Sequence, residues 1–214
     1  AAAVAEAAVE AEAAAEAAVE AEADEENVIP DAVPILNQTI AAGYGHTCAV
    51  LDNASVKCWG NGEYGQLGSG GIDILGDGEN EMGDDLEAVA LGTGRTAVSI
   101  TAGEYHMCAL LDNGDVKCWG YGENGRLGSG GTDTLGDGPG EMGDDLAPVD
   151  LGAGRTAVAI TAGDKHTCAL LDNGSVKCWG YGEYGQLGSG GTDHLGDGPG
   201  EMGDNLTAVD LGTD

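Results

Sequence analysis

The stretch His166-Thr167-Cys168-Ala169-Leu170-Leu171-Asp172-Asn173-Gly174-Ser175-Val176-Lys177-Cys178-Trp179-Gly180 decides the fold. Its two relatives begin at His46 and His106, a spacing of 60 residues each time. A period of that size marks a solenoid, a propeller or another array built from one supersecondary unit. Asp172-Asn173-Gly174 lies between two apolar runs and reads as the turn of a β-hairpin. With a three-residue loop and Gly174 left-handed at the bulge, Cys168 faces Cys178 and Leu170 faces Val176 on one side of the ribbon. Ala169, Lys177 and Trp179 then lie on the other side. A two-residue loop would set Cys168 against Trp179 instead, so the cysteine pairing is a check on the loop.

Directly opposed cysteines stand at about disulfide distance. The expected links are Cys48–Cys58, Cys108–Cys118 and Cys168–Cys178. Closing so short a loop contributes roughly 2.5–3 kcal/mol on the chain-entropy model. The spacing is not C-x₂-C, which disfavours zinc. A disulfide in every unit implies an oxidising compartment, so the expected location is extracellular or at the cell surface. The first copy has Ala54 where the others have the turn glycine, at an expected cost of about 1 kcal/mol in left-handed strain.

Outside the hairpins, the chain is unusual in composition. It carries 40 glycines and no phenylalanine, which implies tight turns and small core residues. Its net charge is −31, with seven basic residues in 214. That balance excludes nucleic acid and anionic membranes as natural partners and favours cations or basic surfaces. No apolar run approaches membrane-spanning length. Residue 1 is Ala, as expected of a processed chain.

The chain divides into a 1–26 Ala/Glu-rich helical tail, a 27–43 linker with a partial repeat strand, and three repeats at 44–103, 104–163 and 164–214. Ala and Glu are strong helix formers, but the glutamates of the tail spread around the helical wheel. The tail therefore reads as a solvated spacer or as a segment docked on a neighbouring subunit by its small Ala face. In the second repeat, strands are expected at 98–102, 106–111, 116–121 and 146–151. Four short strands per unit make a propeller blade. The predicted class is an all-β repeat protein of propeller-blade-like four-stranded units with an N-terminal helix.

The pattern Ala-Gly-x-x-His-Thr-Cys-Ala-Leu-Leu-Asp-Asn-Gly-x-Val-Lys-Cys-Trp-Gly, followed by Gly-Glu-Tyr-Gly-Gln-Leu-Gly, resembles the repeat of the regulator of chromosome condensation family. The resemblance covers roughly residues 33–214 and recurs three times. Its landmarks here are Gly163, His166, Ala169, Leu170, Asp172, Gly174, Val176, Trp179, Gly180, Tyr184, Gly185, Gln186, Leu187 and Gly188. It implies a β-propeller fold, usually with about seven blades. Family functions include nucleotide exchange, chromatin binding and, in secreted bacterial members, enzyme inhibition by the propeller face. The cysteine pairs are outside the general family pattern, and the acidic charge opposes a chromatin role.

His46, His106 and His166 hold equivalent places, where a hydrogen bond to a neighbouring loop is expected rather than catalysis. His194 stands where the other copies have Ile74 and Thr134. No Ser-His-Asp set, phosphate loop or zinc motif is seen, so no enzyme is expected. The Gly- and Asp-rich loops could supply oxygen ligands to Ca²⁺. The candidates are Asp73, Asp77, Glu81 and Asp84, then Asp133, Asp137, Glu141 and Asp144, then Asp193, Asp197, Glu201 and Asp204. The alternative is a solvated acidic loop. Asn37, Asn53, Asn173 and Asn205 head glycosylation sequons.

Three repeats and a partial one fall short of the blades a closed ring needs. The expected function is an extracellular structural subunit that joins copies of itself head to tail into a filament or other polymer. The alternative is a secreted propeller-type module that binds a protein partner or inhibits an enzyme through its loops, or closes a dimeric ring.

Overall fold

The computed structural model describes residues 39–212. The helix expected over 1–26, the linker that follows it and Asn37 lie outside the described residues. The strands are β1 (Ile40–Ala42), β2 (His46–Val50), β3 (Val56–Gly60), β4 (Ala97–Ala102), β5 (His106–Leu111), β6 (Val116–Gly120), β7 (Ala157–Ala162), β8 (His166–Leu171) and β9 (Val176–Gly180). They form three antiparallel sheets, ordered β1-β2-β3, β4-β5-β6 and β7-β8-β9. Each sheet joins the last strand of one sequence unit to the hairpin of the next. β1 is the partial repeat strand of the 27–43 segment.

The hairpins have the expected register. Cys168 lies opposite Cys178 and Leu170 opposite Val176, with the same pairing in the other two sheets. Leu171 N donates to Ser175 O at 2.8 Å and Gly174 N to Leu171 O at 2.9 Å, which closes the three-residue loop. Gly174 is left-handed at φ +82, and Ala54 is forced to φ +61 in the same place. Asn173 Oδ1 accepts from Ser175 N and from its hydroxyl, fixing the turn before the glycine. The three disulfides link the expected pairs, each with Cα atoms 4.1 Å apart.

The fourth strand is absent as a ladder. Over 146–151 the chain makes one backbone bond to the sheet, Val149 N to Val116 O at 2.7 Å, and the other units do the same from Val89 and Val209. The reason lies in the spacing of apolar residues. Leu146, Val149 and Leu151 are buried, and so are Leu86, Val89 and Leu91. That spacing of three and then two cannot follow the alternation of a pleated strand. Pro148 also removes a ladder donor. The long loop instead returns once to the hairpin end, where Gly120 pairs with Leu135.

Each sheet has a Cys face and a Trp face. In the second sheet the Cys face carries Ser99, Thr101, Cys108, Leu110, Val116 and Cys118. The opposite face carries Ile100, Met107, Ala109, Lys117 and Trp119. The Cys face of one sheet packs on the Trp face of the next. Cys48, Val56 and Cys58 share a core with Met107, Ala109 and Trp119. Cys108, Leu110, Val116 and Cys118 share the second core with Ala169 and Trp179. The first strands of successive sheets run close: a Cβ on Gly43 would meet Gly103 O at 2.3 Å, and one on Gly103 would meet Gly163 O at 2.7 Å. Glycine is required there by space.

Candidate functional site

The acidic loops are built around their glutamates. Glu81 Oε2 accepts from the backbone amides of Gly76, Asp77 and Gly78 at 2.8, 3.1 and 2.8 Å. Glu141 accepts from Gly136 and Gly138, and Glu201 from Gly196 and Gly198. The amides of Gly78 and Gly76 hold the Glu81 carboxyl below its ordinary range. Asp144 accepts from Thr93 N at 2.7 Å and from its hydroxyl at 2.6 Å, and Asp204 accepts from Ala153 N at 2.9 Å. These bonds tie the second and third loops to the turn of the preceding unit. Burial and then the neighbouring glutamate push Asp137 and Asp197 upward. Asp73, Asp84, Asp133 and Asp193 are exposed.

Among the described residues, no three His, Cys, Asp or Glu side chains are grouped to hold a metal ion. The glutamates accept from their own loops' amides, and Asp144 and Asp204 are bonded across to another unit. A residue type the sequence reading passed over completes each loop. Lys57, Lys117 and Lys177 donate Nζ to Gly83 O, Gly143 O and Gly203 O at 2.7, 2.7 and 2.8 Å.

Of the repeated histidines, His106 makes a hydrogen bond to the next unit, and its partner is a strand residue rather than a loop residue. His106 Nε2 lies 2.9 Å from the Thr167 hydroxyl of the next unit. Burial, and then the Arg126 charge, press its pKa down to about 3. His46 has no equivalent bond, because Met107 stands where Thr167 stands one unit later. Burial lowers its pKa too; the nearby backbone of Tyr44 and His106 opposes the shift. His194 accepts from Gly182 N and packs at 4.9 Å on the Tyr181 ring. Asn53 and Asn173 are exposed at turns, and Asn205 is exposed at the end of the short 3-10 helix Gly203–Asn205.

Four of the six tyrosines gather in space. The turns at 43–45 and 103–105 precede the central strands, and those at 61–66 and 121–126 follow the hairpins. They place Tyr44, Tyr105, Tyr64 and Tyr121 side by side. Ring centroids are 5.6 Å apart for Tyr44–Tyr105, 5.1 Å for Tyr64–Tyr105 and 4.8 Å for Tyr64–Tyr121. Tyr44 is 69% exposed and the other three are half-buried. Arg126, itself buried, lies 4.9 Å over the Tyr121 ring. It is held by Glu123 O at 2.8 Å and by Asn124 Oδ1 at 3.2 Å. Tyr121 donates to Glu123 at 2.8 Å. That bond, with burial, raises its pKa; burial and then Glu104 raise that of Tyr105. In the third unit Tyr181 donates to Glu183 and packs at 5.8 Å on Tyr184.

Like sheets stacked face to back define a repeat protein of the β-propeller class. Models of the Regulator of chromosome condensation (RCC1) repeat match at 38–66, 97–126 and 157–186, and again over 113–170. Together they take in more than half of the residues, and the chain belongs to the regulator of chromosome condensation repeat family. It is 34% identical over 157 residues to the ultraviolet-B receptor UVR8 of Arabidopsis thaliana, covering 72% of this chain and 32% of that protein. It is 31% identical over 174 residues to the human E3 ubiquitin-protein ligase HERC2, covering 80% of this chain and 3% of that protein. The chain thus spans a third or less of these relatives' length. Its fold matches human WBSCR16 with a TM-score of 0.57 at 22% identity, over 79% of this chain and 38% of that one. It matches Prp20p of Saccharomyces cerevisiae at 0.55 and 23% identity, over 79% and 37%.

Proposed function

We propose that this chain is an exported, non-enzymatic binding module that grips a basic partner protein with its tyrosine face. The carrying observation is the half-exposed group Tyr44, Tyr64, Tyr105 and Tyr121, edged by Glu63, Glu104 and Glu123. Tyrosine supplies large contact area at low entropy cost and is enriched in interface hot spots. Ring faces attract Lys and Arg side chains, and the flanking carboxylates add to that field. The net charge of −31 steers basic partners toward it. Export is supported by a disulfide in each hairpin. Partner binding has precedent in the Prp20 structure that contains Kap60.

Calorimetry with a Lys/Arg-rich peptide and an acidic peptide of equal length tests this reading. The basic peptide binds, and Tyr105→Ala weakens it by about tenfold or more. Equal binding of both peptides, or no effect of Tyr105→Ala, contradicts it. A second reading is the extracellular filament built head to tail. It is favoured by the repetition of one inter-sheet contact along the chain. Electron microscopy of the purified protein tests it: filaments support it and particles of one fixed size contradict it.

A further inference from the structure

All six cysteines close links inside hairpins. Among the described residues, no covalent bond but the backbone joins one unit to the next. Two phenol rings nevertheless meet across the boundary between the first and second units. The centroids of Tyr64 and Tyr121 are 4.8 Å apart at an interplanar angle of 44°. Rings at that separation are in van der Waals contact, and the moderate tilt lets an edge carbon of each approach the other. Tyr64–Tyr105 is somewhat wider, at 5.1 Å and 54°. Tyr44–Tyr105, Tyr105–Tyr121 and Tyr181–Tyr184 are wider still, at 5.6, 6.4 and 5.8 Å, and stand edge to face.

Both turns that carry the closest pair are pinned. Tyr64 N donates to Gln66 Oε1 at 2.8 Å, and Gln66 O accepts from Trp119 Nε1 of the second sheet at 3.1 Å. A Cβ on the intervening Gly65 would meet Asp137 N at 2.5 Å, so the first turn is seated directly on the loop of the second unit. Tyr121 N donates to Tyr105 O at 2.9 Å. The Tyr121 hydroxyl donates to Glu123 Oε2 at 2.8 Å. That carboxylate is within reach to take the phenolic proton. Arg126, 4.9 Å over the same ring, disfavours a positive charge on it. The electron therefore leaves Tyr121 most readily together with the proton.

We propose that Tyr64 and Tyr121 form an oxidative cross-linking site, coupled to a dityrosine by a peroxidase-class enzyme using hydrogen peroxide. Each phenol gives up one electron and its hydroxyl proton, Tyr121 to Glu123 and Tyr64 to water. The two phenoxyl radicals join by a bond between ring carbons ortho to the oxygens. The two ortho hydrogens then leave as protons, and protons return to the oxygens to restore both phenols. The two electrons and two protons released overall reduce hydrogen peroxide to two molecules of water. The link ties the first unit to the second, which none of the disulfides does. The site stands whether or not the tyrosine face binds a partner.

Treatment of the intact, disulfide-bonded chain with a haem peroxidase and hydrogen peroxide, in dilute solution, tests it. The monomer is then isolated on a denaturing gel, reduced, digested and read by mass spectrometry. One cross-linked species should dominate, joining the peptide that holds Tyr64 to the peptide that holds Tyr121 and two hydrogens lighter than their sum. The treated monomer should show dityrosine fluorescence, and its thermal midpoint should rise by about 5 °C or more. Tyr64→Phe and Tyr121→Phe keep the rings, and each should abolish that species with unchanged circular dichroism. Tyr184→Phe should leave it intact, and Glu123→Gln should slow its formation. Cross-links spread over the six tyrosines, or led by another pair, overturn the proposal. So does a monomer without dityrosine under conditions that consume free tyrosine.

Discussion

The second and third sheets have almost the same sequence and opposite surroundings. Cys108, Leu110, Val116 and Cys118 are buried under the third sheet, while Leu170, Ala159 and Thr161 on the matching face are exposed. Burial in this molecule is therefore set by the neighbouring unit rather than by the unit's own residues. A repeat that cannot bury its own faces depends on stacking. Identical substitutions in the two sheets isolate the value of that stacking.

The largest difference should come from leucine. Leu110→Ala removes a side chain buried between sheets and should cost about 2–5 kcal/mol, whereas Leu170→Ala in dilute monomer should cost about 1 kcal/mol or less. Urea unfolding of the two variants measures it, and equal losses would break the comparison. The disulfides come next. Each closes a loop of the same length, so replacing either pair by Ala should cost roughly 2.5–3 kcal/mol from chain entropy. The Cys108–Cys118 pair should cost more than Cys168–Cys178, because its sulfurs are also packed against the next sheet.

A smaller contrast lies in the hairpin turns. A Cβ on Gly114 meets Thr156 Cβ at 2.6 Å, while a Cβ on Gly174 meets nothing. Gly174→Ala should therefore cost only the left-handed strain of about 1 kcal/mol, and Gly114→Ala should cost more. Ala54→Gly should return about that 1 kcal/mol in the first sheet. Thermal unfolding of the three variants reads this order.

The histidines give the finest test. His106 has a folded pKa of about 3, below the ordinary value of 6.5. Between those values the unfolded chain binds more protons, so stability falls as the solution is acidified from pH 6.5 toward 3. His166 is lowered by burial too, but Asp164 opposes the shift. In an NMR titration His166 should protonate at higher pH than His106. The same pKa for both would show that the second junction does not exclude water as described.

Much of this arrangement was legible in the chain. Asp-Asn-Gly set the loop, and the cysteine spacing checked the register to the residue. The fourth strand was misread because 146–151 is apolar enough for a strand, while its buried positions alternate at three and then two. That spacing was visible at Leu86, Val89 and Leu91 as well. The tyrosine face was hidden for another reason. Tyr44, Tyr64, Tyr105 and Tyr121 do not share one repeat position, so only the turning of the backbone brings them together. Lys57, Lys117 and Lys177 carried a signal that went unused: a lysine recurring between Val and Cys on a packed face needs a carbonyl partner. The amides that Glu81, Glu141 and Glu201 accept from were hidden as well, because sequence shows carboxylates and not the backbone that turns toward them.

Amide hydrogen exchange in dilute solution tests the central claim most directly, that each sheet is protected by the unit stacked on it. The hairpin His106–Gly120 should exchange slowest, with His166–Gly180 clearly faster. Equal exchange of the two hairpins in dilute monomer would contradict the account.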